Sequence, residues 1–259
     1  MTISSPTILV SNDDGLGTTG LSILGRCLGR LGRVVVVSPD RQRSAGGHSI
    51  TLREPIRMKR LDLEIETWVT TGTPADCILL GIYEIIKDRV DLVVSGINHG
   101  ANVGIDITYS GTVSAAMEGA ICGIPSMAVS LATHKDVSGN IFEMAGDFTT
   151  KLAELVMKKG LPGDTLLNVN IPPVERPLGV KFTYQGSKRY KPKILKRFDP
   201  SGEPYYWLDA SFVDNDEDGS DLTAIREGYI SITPVKIDMT DYNNLEEISS
   251  RYKEIESFL

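Results

Sequence analysis

Two adjacent acids, Asp13 and Asp14, follow the apolar run Thr7-Ile8-Leu9-Val10-Ser11 and precede Gly15. Side-by-side carboxylates repel each other unless positive charge sits against them. A divalent cation on hard oxygen ligands supplies that charge most simply, and once bound it would also grip a phosphate. Capping of the next helix would account for one of the two acids at most. Asn98 and Asn102, in Ser95-Gly96-Ile97-Asn98-His99-Gly100-Ala101-Asn102, offer neutral carbonyl ligands or amide donors, although Asn also suits left-handed turns. His99 reads either as a hydrogen-bonded loop histidine or as a general acid, because free imidazole titrates near neutrality. Tyr109-Ser110-Gly111-Thr112 opens a helix of small residues. Its free N–H groups and positive dipole end make an anion site, to which Ser110 and Thr112 add hydroxyls; N-capping by Ser110 explains part of the pattern.

These residues need a scaffold that brings loops to one edge. The run over 7–11 reads as a buried strand, and in an open α/β sheet ligands bind beyond the carboxyl ends of strands. Leu21, Leu24, Leu28 and Leu31 recur at helical spacing and Gly32 ends that helix; Val34 to Val37 is a buried strand. Ser38 to Gly47 is too long and glycine-rich for a mere connector. Residues 50–71 suggest short strands, and Thr73-Pro74-Ala75-Asp76 starts a helix with Thr73 as N-cap. Asp91 to Gly96 and Pro125 to Leu131 are further strands, and Ile141 to Met157 is a helix. Such alternation implies a mostly parallel sheet with helices on both faces. Near residue 175 the character changes. Lys181 to Thr183, Ile194 to Phe198, Tyr205 to Leu208 and Ile230 to Pro234 read as β pieces, so we divide the chain into a core, 1–178, and a hairpin-bearing region, 179–259, partly continuous with it. Leu245, Ile248, Tyr252, Ile255 and Leu259 form a stripe on a terminal helix from Asn244, which must bury itself on its own core or on a partner subunit.

Composition narrows the function. A net charge of −7 argues against duplex nucleic acid as a partner, and an anionic substrate would need local positive charge or a metal. Three scattered cysteines without CxxC spacing look reduced, three histidines make a His-rich zinc site implausible, and no apolar run is long enough to cross a bilayer. With no signal pattern at the start, a cytoplasmic, membrane-free protein is expected.

Other signals compete. Gly15-Leu16-Gly17-Thr18-Thr19-Gly20, with Asp40 ending the next strand, is the dinucleotide fingerprint in context and supports a non-catalytic nucleotide or NAD-binding protein. Against it stand Asp13 and Asp14, since two carboxylates within about 4–6 Å of a pyrophosphate cost several kcal/mol unless a metal intervenes. A covalent aspartyl-phosphate enzyme would usually present a second Asp where Gly15 stands. Asp214, Asp216, Asp218 and Gly219 mimic an EF-hand start, but Ile225 occupies the place of its bidentate Glu. Lys188, Arg189, Lys191, Lys193, Lys196 and Arg197 form a basic stretch that could recruit polyphosphate or simply be solvated.

Taken together, the loops resemble the survival protein SurE nucleotidases. The matching pieces are Ser11-Asn12-Asp13-Asp14-Gly15, Ser38-Pro39-Asp40-Arg41 with Ser44, Gly72-Thr73-Pro74-Ala75-Asp76, Val94 to Asn102, Tyr109 to Thr112, Gly219-Ser220-Asp221 and Ser231-Ile232-Thr233-Pro234. Gln42 and Ala45 stand where Asn and Gly are expected, and Lys236 where relatives often carry His, so a C-terminal catalytic histidine has no residue here. The resemblance implies a Rossmann-like three-layer sandwich whose C-terminal region exchanges between subunits in a homodimer or homotetramer. It implies a divalent-metal phosphomonoesterase acting on nucleoside 5′- and 3′-monophosphates, with exopolyphosphatase activity in some members. It also implies one Mg²⁺ or Mn²⁺ per subunit on Asp13, Asp14, Ser44 and Asn98. Asp13, Asp14, Asn98 and His99 would then form the catalytic group, with Asn102, Ser110, Gly111 and Thr112 around the phosphate.

Overall fold

The apolar run that opens the chain forms β1 (Thr7–Ser11), all five residues of which are buried. The computed structural model describes residues 5–187, 189–213 and 217–258. After β1 come α1 (Thr19–Leu28), β2 (Arg33–Pro39), β3 (Met58–Leu61), β4 (Glu66–Thr70) and α2 (Pro74–Leu80). The chain continues through β5 (Leu92–His99), α3 (Gly111–Ile121), β6 (Ser126–Leu131), α4 (Gly139–Lys159) and β7 (Thr165–Ile171). Last are β8 (Val180–Phe182), β9 (Arg189–Phe198), β10 (Pro204–Val213), α5 (Asp221–Arg226), β11 (Ile230–Lys236) and α6 (Leu245–Arg251).

Nine of these strands make one sheet in the order β3-β4-β2-β1-β5-β6-β7-β11-β8. Neighbours from β4 to β7 are parallel, whereas β3 and β11 run antiparallel to β4 and β7. Strand period sorts the side chains into two layers. Ile8, Val10, Val34, Val36, Leu92 and Val94 face α1 and α4, while Leu9, Val35, Val37 and Val93 face α2 and α3. The expected mostly parallel α/β sandwich is the observed fold.

Local chemistry sets the element ends. Thr73 caps α2 in a reciprocal box: its hydroxyl accepts the Asp76 N–H at 3.1 Å, and Asp76 accepts the Thr73 N–H at 2.8 Å. The three glycines of the fingerprint have two structural duties. Gly15 and Gly17 sit at φ +87° and +86°, and a Cβ on Gly20 would lie 2.0 Å from the Ile97 carbonyl oxygen. Gly20 therefore allows α1 to lie against β5.

The structure adds to the sequence reading in four places. β7 has no counterpart in the sequence reading; its Leu-Leu-Asn-Val-Asn-Ile pattern interrupts the apolar run with asparagines that turn out to be buried. β9 and β10 pair over their full ten residues each, extending the predicted pieces into a long two-stranded ribbon. β8 and β11 join the main sheet, so the region after residue 178 contributes two strands to the core layer. The terminal helix is α6 followed by a separate 3₁₀ turn, Lys253–Ser257, and Leu245, Ile248, Tyr252 and Ile255 are exposed rather than packed on the core. Leu259, Lys188, Asp214 and Asp216 lie outside the described residues.

Candidate functional site

Asp13 follows β1 at the carboxyl edge of the sheet and is 5% exposed. It meets the start of α3. The Thr112 hydroxyl donates to Asp13 Oδ1, and Gly111 passes so close that a Cβ there would lie 2.6 Å from Asp13 Cβ and 3.0 Å from Oδ2. Ser110 caps the same helix by accepting the Val113 N–H at 3.1 Å. The anion that this helix end holds is thus Asp13's own carboxylate, and Thr112 seats Asp13 rather than standing open to a phosphate. Asp14 is less buried, and the His99 backbone N–H approaches its Oδ2 at 3.4 Å.

Burial raises both carboxyls above the ordinary range. For Asp13 the Thr112 hydroxyl opposes that rise and the neighbouring Asp14 charge reinforces it; for Asp14 the His99 N–H, the His99 charge and the Gln42 side chain oppose it. Gln42 thereby still serves Asp14 from the position where Asn was expected.

The remaining candidates arrive at the end of β5 and on the loops after β5 and β2. Asn98 donates its side-chain N–H to the Gly100 carbonyl at 2.8 Å, which leaves Oδ1 as its ligating atom. Ser44 is exposed on the loop after β2 and follows Arg43, whose N–H donates to the Asp13 carbonyl at 2.8 Å. The Gly47 N–H donates to the Tyr109 carbonyl at 3.0 Å, so this loop spans from Asp13 to the entrance of α3. Ala45, where relatives are expected to carry Gly, takes φ +57°. The backbone of Arg41 lies 3.1 Å from where a Gly15 Cβ would be, so the loop packs on the turn that a dinucleotide pyrophosphate would need.

The His99 ring turns aside. Its Nε2 meets the Lys135 carbonyl at 3.0 Å and the ring lies 6.2 Å from that of Phe142, so the hydrogen bond His99 gives the pair comes from its backbone N–H.

Asn102 is buried in a polar network. Its side chain donates to Ser130 at 2.8 Å and its N–H to Asn170 Oδ1 at 2.8 Å, while its carbonyl accepts from Asn168 at 2.8 Å and Asn170 at 3.0 Å. These contacts fix the loop after β5 and engage one side-chain N–H of Asn102. Asn168 and Asn170 escaped the sequence reading together with β7. Their signal was two asparagines alternating in an apolar run, hence on one face of one strand. Asn12 was likewise overlooked: it accepts from Ser38 at 2.8 Å and donates to the Gly15 carbonyl at 2.8 Å, bracing the acidic turn.

A hard divalent cation fits these donors. Two carboxylates, one amide oxygen and one hydroxyl are all oxygen ligands. Among the described residues no group of three or more His, Cys, Asp or Glu could hold a metal, so neutral oxygens must complete any site built on Asp13 and Asp14.

Fold and site together define an α/β protein with a paired-carboxylate site at the carboxyl edge of a parallel sheet. The chain belongs to the survival protein SurE family, whose family model matches residues 8–192. It is 47% identical over 243 residues to a protein of Geotalea uraniireducens named 5′-nucleotidase SurE, covering 92% of this chain and 96% of that one. The 5′-nucleotidase SurE 1 of Thermus thermophilus is 46% identical over 248 residues, with 93% and 96% covered. The crystal structure of the SurE protein from Aquifex aeolicus superposes with a TM-score of 0.82 at 44% identity, covering 95% of this chain and 99% of that one.

Proposed function

We propose that this chain is a divalent-metal-dependent phosphomonoesterase that hydrolyses nucleoside 5′- and 3′-monophosphates to nucleoside and phosphate, and that it also trims polyphosphate. The observation that carries the reading is the pair Asp13 and Asp14, held beside α3 with oxygen donors only, in a chain whose relatives are named 5′-nucleotidases. Asp13, Asp14, Ser44 and Asn98 would hold one Mg²⁺ or Mn²⁺ per subunit, which when bound neutralises phosphate charge and acidifies a water.

The protein's own groups then have separable tasks. Thr112 favours the carboxylate form of Asp13 against the cost of its burial, and Gly111 leaves the room that Asp13 occupies. The His99 amide likewise favours the carboxylate form of Asp14. Ser110 and Gly111 would meet phosphate at the positive end of α3, Thr112 acts through Asp13, and Asn102 holds the neighbouring loop in shape. The His99 ring, on the Lys135 carbonyl, would have to rotate to deliver a proton to the leaving alkoxide.

No helix among the described residues is long and apolar enough to cross a membrane, in keeping with a cytoplasmic enzyme. The exposed hairpin and terminal helix suit assembly into a homodimer or homotetramer. Turnover of nucleoside monophosphates by Asp14→Asn with Mn²⁺ is the test; activity near that of the unaltered enzyme overturns the reading.

A further inference from the structure

The motif Gly219-Ser220-Asp221 has no part in the site as described, yet Asp221 is a fully buried acid. Its Oδ2 accepts the Gly104 N–H at 2.8 Å across 117 residues of sequence. Its Oδ1 accepts the N–H groups of Gly186 at 3.0 Å and Leu222 at 2.8 Å. Gln185 completes the grip by donating to the Gly104 carbonyl at 2.8 Å. Both backbone polar groups of Gly104 are therefore held by residues at the two roots of the β9–β10 hairpin. Capping of α5 does not explain this, because the Ser220 hydroxyl already accepts the Thr223 N–H at 3.2 Å.

Gly104 stands at a sensitive point. It adopts φ +55° and begins the 3₁₀ turn Gly104–Thr108. The N–H groups of Tyr109 and Ser110 both return to the Asp106 carbonyl at 3.0 Å, which carries the turn directly into the cap of α3. On its other side lie Val103 and the Asn102 network. A shift at Gly104 thus reaches the loop that carries Asn102, the end of β5 where Asn98 lies, and the helix end that seats Asp13.

We propose that Asp221 and Gln185 are positioning residues, which clamp Gly104 and so set the loop after β5 and the start of α3 against Asp13. The activity and manganese arms of the test rest on the proposed metal-dependent phosphomonoesterase; the exchange arm does not. Asp221→Asn removes the charge and one strong acceptor at constant size, and Gln185→Ala alters an exposed position. In the full-length enzyme, kcat for nucleoside monophosphates should fall about tenfold in each variant, with a smaller change in KM. Manganese affinity measured by titration calorimetry should weaken, and amide hydrogen exchange over residues 100–110 should quicken about tenfold while that of β1 stays unchanged.

Unaltered kcat with unaltered exchange in that loop overturns the proposal. So does faster exchange spread over the whole chain with kcat per folded molecule preserved, which is the signature of a merely structural acid. Should Asp221→Asn fail to fold, Gln185→Ala decides by the same readouts. If the unaltered enzyme hydrolyses no nucleotide, the phosphomonoesterase reading fails while exchange over residues 100–110 still judges the clamp.

Discussion

At the carboxyl edge of the sheet, Asp13 is almost wholly buried, and its carboxylate is met by Thr112 and Gly111 of the same chain. On the β9–β10 hairpin, Trp207 is 63% and Leu208 87% exposed, and the two strands pack chiefly on each other. The ribbon is two-sided. Ile194, Phe198, Tyr206 and Leu208 share one face with Lys196, which lies over the rings of Phe198 and Tyr206 at 5.1 Å and 5.9 Å. Lys191, Lys193, Arg197, Tyr205 and Trp207 share the other. The first region is completed within one chain, whereas the second presents large apolar side chains with no such completion. Apolar surface of that kind ordinarily marks a place of contact.

The largest expected effect lies in the completed region. Asp14→Asn should cost at least about 10²-fold in kcat with Mn²⁺ while leaving the fold intact, as checked by steady-state assay and circular dichroism. Gly111→Ala attacks the seat instead of the acid. The added Cβ, 2.6 Å from Asp13 Cβ, should displace Asp13, lowering kcat by about 10²-fold and stability by about 1–3 kcal/mol. Normal activity in that variant would show that Asp13 tolerates a different position.

The hairpin should respond in the opposite way. Leu208→Asp should reduce the assembly to monomers in sedimentation, yet change the unfolding free energy of the isolated chain by no more than about 0.5 kcal/mol. A wild-type protein that already sediments as a monomer would remove the contrast between the two regions.

A pH measurement sharpens it further. Because burial raises Asp13 and Asp14, the metal-free folded state binds their protons more tightly than the unfolded chain does. The stability this confers is fully present below the unfolded-state values and is lost as pH rises through the raised folded-state ones. Melts of metal-free protein should show wild type losing ground to Asp13→Asn as pH increases, and manganese affinity should weaken as the pair is protonated. The smallest effect belongs to Ala45, whose left-handed conformation costs about 1–2 kcal/mol; Ala45→Gly should recover about 1 kcal/mol in denaturant unfolding.

Much of this architecture was legible in residue order. The parallel sheet followed from the apolar runs 7–11 and 34–37 alternating with the helical spacing of Leu21, Leu24, Leu28 and Leu31, and the start of α2 from Thr73 and Pro74. Strand β7 was hidden because Asn168 and Asn170 look like loop residues until a partner loop is present to bind them. The hairpin was read too short because cross-strand pairing, rather than local apolarity, carries its outer residues into the ribbon.

For the site, sequence alone determined the ingredients: adjacent carboxylates ending a buried strand, amide-bearing and hydroxyl-bearing loops at the same sheet edge, and glycines where the backbone must turn. These follow from periodicity and turn chemistry, which operate between near neighbours. Tertiary structure decided the assignments. Only the fold brings Thr112 to Asp13 across 99 residues and Asp221 to Gly104 across 117, and only it turns the His99 ring onto Lys135. A buried polar group takes whichever partner the topology delivers, and sequence order does not contain that distance.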